Sequence, residues 1–170
     1  MAFQEIADAN GGTRASGTPG YNASADYVAG LLEDAGYTVE RQVFSYSDYT
    51  ENSSSLTVDA VSVETLTFDY SGSGVVVSGN VIAVDLDLGL GNISTSGCEV
   101  TDFDGMDWSG TADIALIQRG VCSFGSKAMN AETAGAEGVI IFNQGNTTDP
   151  GRQGVIAGTL GSPVDRKSVV

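Results

Sequence analysis

Apolar positions follow a helical period near the start of the chain and a strand period further along. Phe3, Ile6 and Ala7 share one helical face, and Asn10-Gly11-Gly12 stops that turn. Thr18-Pro19-Gly20 reads as a turn. From Asn22 onward, Ala25, Val28, Leu32 and Ala35 recur at spacings of three and four, which predicts an amphipathic helix. Gly36 follows it, the usual left-handed residue after a helix. Residues 38–46 then alternate through Val39, Val43, Phe44 and Tyr46, which predicts a strand.

The character changes at SDYTENSSS (47–55), a polar linker or long loop. Beyond it the pattern predicts strands through Leu56, Val58 and Ala60 to Val63, through Leu66, Phe68 and Tyr70, and on both sides of Gly79-Asn80 in VVVSGNVIAVDLDLG. A long loop is expected over 92–110, followed by a short buried strand over 114–118. Phe124, Ala128, Ala131 and Ala134 stand at helical spacing and end at Gly135. GVIIFN (138–143) is an unbroken apolar run of strand length. The fold class expected is α+β and mainly β. No internal repeat is present.

Composition narrows the partners. The 22 acidic residues against 7 basic ones give a formal net charge of −15. Such a surface repels phosphate backbones and anionic headgroups, so no nucleic acid or membrane-surface partner is expected. No apolar run of 18 residues exists, so no membrane insertion is expected. MAFQEIADANGG lacks the basic region and apolar core of a signal peptide, so a secreted protein would be represented here by a mature segment.

Candidate chemistry is limited by one absence. The chain has no histidine. A reactive Cys122 would lack its usual base, and Ser-His-Asp catalysis, His-ligated zinc and HExxH arrangements are excluded with it. Two cysteines are too few for an all-thiolate zinc site. A disulfide from Cys98 to Cys122 is the better reading, closing a loop across an acidic segment. Asp102-x-Asp104-x-x-Asp107 and Asp85-x-Asp87 read as solvated loop acids, because the first lacks the complete calcium-loop pattern. Arg119, after the buried strand, either pairs with loop acids in a structural role, which is the favoured reading, or faces a ligand.

The segment DIALIQRGVCSFGSKAMNAETAGAEGVIIFNQGN (113–146) resembles the protease-associated (PA) domain. The family's order of features is present: Arg119-Gly120, Cys122, Phe124, Lys127, Ala134-Gly135-Ala136 and Asn143. GCEVTDFDGM (97–106) is similar to the cysteine-bearing loop that precedes this strand in secreted members. The first part, GGTRASGTPGYNASADYVAGLLEDAGYTVERQVFSY (11–46), resembles the lead-in of secreted two-zinc aminopeptidases, in which a PA domain is inserted into the catalytic domain.

The resemblance implies a PA-type open β-barrel or sandwich with one or two flanking helices over 51–170. It implies a helical N-terminal flank with one strand over 1–50. It implies a disulfide at Cys98 and Cys122, with Arg119, Gly120, Phe124, Lys127, Gly135 and Asn143 as framework. No catalytic or metal residue is carried over. No cofactor is expected in this chain, and zinc is expected in a full-length parent, whose ligands would follow the insert. The implied function is a non-catalytic module of a secreted zinc aminopeptidase, contacting a peptide or protein substrate or the parent's catalytic domain. The alternatives are a cargo-binding module of a luminal sorting receptor and an insert of a subtilisin-like serine protease. DRKSVV (165–170) stands where the last strand and the return into the enzyme are expected.

Overall fold

A computed structural model describes residues 2–72, 78–110, 112–162 and 168–169. The chain divides into two compact units, Met1–Ser47 and Asp48–Val170.

The first unit is a helical pair, α1 (Ala2–Ala9) and α2 (Pro19–Asp34). Thr18 caps α2: its hydroxyl accepts from the Tyr21 amide at 3.3 Å, and Pro19 occupies the first turn, where its missing N–H costs nothing. The helix thus begins three residues before the expected start. It ends as expected, with Gly36 at φ +89° and the Tyr37 amide bonded back to Leu32 O at 3.0 Å. Phe3 meets Tyr27 edge to face at 5.5 Å. The strand expected over 38–46 is not formed. Residues 37–55 carry no regular element, and Val43 and Phe44 stand 96% and 71% exposed. An alternating segment becomes a strand only with a partner ladder, and among the described residues none pairs with it.

The second unit is mixed α+β. A small antiparallel hairpin joins β1 (Leu56–Val58) and β2 (Val61–Val63). A four-stranded parallel sheet runs in the order β3 (Asn80–Val84), β4 (Asp113–Gln118), β5 (Gly138–Phe142), β6 (Ser168–Val169). No closed barrel is formed among the described residues. Between β4 and β5 the chain crosses through α3 (Phe124–Ala134), the helical connection that parallel neighbours need. Ser123 caps α3, accepting from the Ser126 amide at 3.1 Å, and left-handed Gly135 ends it.

The core lies between sheet and helix. Val84, Ala115, Ile117, Val139 and Ile141 meet the small face of α3, Ala128 and Ala131. On α3, Gly125 instead admits the backbone at Leu160: a Cβ there would lie 2.4 Å from Leu160 O. Leu66–Tyr70 does not form the expected strand. It makes a single bridge, Asp69 to Thr159, which seats Phe68 in the core against the Phe124 ring at 4.7 Å. The strand expected at Val75–Val77 lies outside the described residues.

Candidate functional site

In open parallel sheets the carboxyl ends of the strands are where loops gather side chains around ligands. Here that edge is filled by amides. β4 and β5 are apolar runs that each end in polar residues, Gln118 after Ile117 and Asn143-Gln144 after Phe142. Gln118 is fully buried. Its Nε2 donates to Gln144 O at 2.9 Å, and its Oε1 accepts from the Asp87 amide at 2.9 Å. Gln144 Nε2 donates to Asn92 O and Oδ1, both at 3.1 Å, while Arg152 donates to Gln144 Oε1 at 3.0 Å. Arg119 Nη1 reaches Asn143 Oδ1 at 3.2 Å and Gly151 O at 2.9 Å. Buried amides cost little when every dipole is answered and much when one is not. This network fixes the loop before Gln153 to the sheet and offers no nucleophile beside a base.

Next to it, the loop over 92–98 is folded onto the end of β4. Ser96, fully buried, donates its hydroxyl to Val84 O and accepts from the Gln118 amide at 3.0 Å. Ser94 O accepts from the Val121 amide at 3.2 Å. Gly120 lets the two backbones touch, since a Cβ there would stand 1.8 Å from Ser94 O.

Cys98 and Cys122 are joined as a disulfide across this contact. Beneath it lies Lys127, fully buried. Its Nζ donates to Ser96 O and stands 3.8 Å from Cys98 Sγ. Asn130, one turn further on α3, donates to Gly97 O at 3.0 Å and Cys98 O at 2.8 Å. Burial pushes the Lys127 ammonium from its ordinary 10.5 down to about 8, and the Asp102 carboxylate opposes that shift.

A pH dependence follows from this burial. An unfolded Lys127 keeps its proton up to about pH 10.5, whereas the folded one releases it near 8. Below pH 8 both states are protonated and the burial cost is present in full. Between 8 and 10.5 the unfolded chain binds more protons, so the contribution of Lys127 to stability rises with pH. Relative to Lys127→Met, which cannot titrate, the parent chain is expected to gain roughly 2–3 kcal/mol between pH 7 and 10.5. Urea unfolding of both proteins across that range checks it. A difference that stays flat would mean that water reaches the amine.

The structure places the remaining sequence-predicted residues in packing, capping and loop-holding positions. Arg119 pairs with Asn143 and a carbonyl rather than with the loop acids. Phe124 packs on Phe68, and Gly135 caps α3. The loop acids are occupied locally: Asp102 Oδ2 accepts from the Glu99 amide at 3.1 Å, Asp107 from Ser109, and Asp87 from the Ile93 amide at 3.3 Å. Among the described residues no group of three or more His, Cys, Asp or Glu side chains is placed to hold a metal ion. Both cysteines are engaged with each other. Zinc therefore does not fit the donor set of the described residues. Gln118, Gln144 and Asn92 were missed by sequence reasoning. The available signal was an amide closing each of two apolar runs.

The features that follow one another here, the Arg119-Gly120 turn, the Cys122 disulfide, the capped α3 and the Asn143 amide, coincide with a known domain. The PA domain family matches residues 70–166. The chain belongs to the PA domain family. An aminopeptidase of Pseudomonas aeruginosa is 44% identical to it over 167 residues, covering 94% of this chain and 30% of its own length. In three dimensions the chain resembles an aminopeptidase from Aneurinibacillus sp. strain AM-1, with a TM-score of 0.71, 28% identity, and coverage of 99% of this chain and 36% of that one. It also shares its fold with a zinc aminopeptidase from Bacillus subtilis, with a TM-score of 0.53 and 24% identity over 99% of this chain and 37% of that one. This PA domain chain thus spans about a third of the length of the relatives it matches.

Proposed function

We propose that this chain is the PA-domain portion of a secreted, zinc-dependent aminopeptidase and performs no hydrolysis itself. The observation that supports this most is the pairing of two facts. Nearly the whole chain, both units included, aligns with the aminopeptidase of Pseudomonas aeruginosa at 44% identity, yet among the described residues its polar cluster holds amides, basic side chains bonded to carbonyls and a disulfide, with Asn146 Oδ1 buried and unanswered. Zinc and the residues that activate water belong to the part of the parent outside this chain.

The second unit restricts or guides access of peptides to that active site, and the first unit is the flank of the catalytic domain. Its α2 leaves Tyr21, Val28, Leu31 and Leu32 exposed, an apolar face suited to packing on the downstream domain. The disulfide accords with export into an oxidising compartment.

The test compares the full-length parent with a variant in which residues 51–170 are replaced by a short Gly/Ser linker. Turnover of a single-residue chromogenic amide should change less than twofold. Turnover of a long peptide should change in KM by tenfold or more. Equal effects on both substrates, or none on either, would remove the access role. Turnover of the amide by the present chain alone would overturn the non-catalytic reading.

A further inference from the structure

The setting of the disulfide is asymmetric, and the asymmetry is chemical. Cys122 lies in a turn between Val121, 64% exposed, and exposed Ser123. Cys98 lies in a loop that α3 holds from below. Lys127 Nζ is 3.8 Å from Cys98 Sγ, and Asn130 binds the carbonyls of Gly97 and Cys98. Exposed Glu99 follows Cys98 in the chain, and Asp102 interacts with the Lys127 charge. An incoming thiolate is an anion that arrives from solvent: the two carboxylates disfavour its approach to Cys98, whereas Lys127, buried beneath the bridge, acts on the charge that develops on Cys98 Sγ as it departs. The N-terminus of α3 favours negative charge near Cys122, but its Ser126 amide is already engaged by Ser123. It also presents only a partial charge, against a whole buried charge beside Cys98.

We propose that the Cys98–Cys122 disulfide is a polarised thiol-exchange site, in which an external low-molecular-weight thiol attacks Cys122 and Cys98 leaves as a thiolate held by Lys127. In the first step the external sulfur forms a bond to Cys122 Sγ, the Sγ–Sγ bond breaks, and its electron pair goes to Cys98. A second external thiolate then attacks the external sulfur of the mixed disulfide. Cys122 leaves as a thiolate, and the two external thiols depart as their own disulfide, having supplied two electrons. Leaving-group stability governs the first step, so the ammonium decides which sulfur departs. The hydrogen bonds from Lys127 and Asn130 to the 96–98 loop do not pass through the disulfide. They keep Cys98 near its partner after reduction, so the exchange is reversible. An inert staple has no such directional preference.

The experiment exposes the oxidised chain to limiting glutathione at pH 7, quenches with acid, alkylates free thiols and maps the peptides. Glutathione is expected on Cys122 and the alkyl group on Cys98, by tenfold or more over the reverse. In Lys127→Met the first step should slow by about tenfold and the preference should fall towards parity. Glutathione on Cys98, an even distribution in the parent chain, or an unchanged preference in the variant would overturn the proposal. Should Lys127→Met fail to fold, single-cysteine variants decide. The thiol of Cys98 in Cys122→Ser should ionise well below the ordinary value of about 8.5, and that of Cys122 in Cys98→Ser should stay closer to it, followed by thiolate absorbance. Ionisation of Cys98 at or above the ordinary value would overturn the proposal independently.

Discussion

Alanine at position 120 is expected to destabilise the second unit by about 3 kcal/mol or more, among the largest single-methyl effects available in this chain. The added Cβ would stand 1.8 Å from Ser94 O and 2.7 Å from Ser94 C, both backbone atoms. No side-chain rotation relieves such an overlap, so the 92–98 loop must lift. Lifting it stretches the Val121 bond to Ser94 O, the two bonds of the Ser96 hydroxyl, and the Lys127 bond to Ser96 O. Each leaves a buried polar group unanswered. Gly145→Ala separates contact from backbone strain, because Gly145 has φ +64° with nothing within 4 Å of its Cβ position. It should cost only about 1 kcal/mol. Urea midpoints of the two variants, disulfide intact, make the comparison. Equal midpoints would mean that the loop is not seated on the Arg119–Val121 turn.

That contact shows what the sequence could and could not say. The Arg119-Gly120 pair was legible as part of a family pattern, but the reason for glycine was not, because Ser94 lies 26 positions away and nothing local marks it. Elements with their own punctuation were legible: helical spacing from Phe124 to Ala134 that stops at Gly135 marks α3, and short apolar runs mark β4 and β5 as strands. Elements that need a partner were not. Residues 38–46 alternate as a strand would and form none, since pairing is a property of two segments. The β1–β2 hairpin turns on Asp59 and Ala60, both at positive φ, where Gly or Asn is the usual marker. The fold class and the disulfide pair were thus readable from local pattern and count. The amide cluster depended on the parallel sheet bringing Gln118 and Gln144 side by side, and the burial of Lys127 on a helix face that spacing alone leaves undetermined.

Replacing both cysteines by serine tests how much of the loop's order is covalent. The bridge spans a sequence separation of 24 and encloses the 3-10 turn Val100–Phe103, Trp108 and all of β4. Closing a loop of that length removes unfolded-state entropy worth about 3–4 kcal/mol. The folded state has little to lose, because Lys127 and Asn130 bind the 96–98 loop without the sulfurs. Cys98→Ser/Cys122→Ser is therefore expected to fold to the same structure and to lose about 3–4 kcal/mol. Its urea m-value should be larger, because the unlinked unfolded chain exposes more surface. The direction of the m-value separates two physical origins. A loss of stability with a raised m-value places the effect in the unfolded chain. The same loss with an unchanged m-value places it in contacts around the bridge. A loss under about 1 kcal/mol would mean that the hydrogen bonds from α3 already close the loop and that the sulfur bond adds little to them.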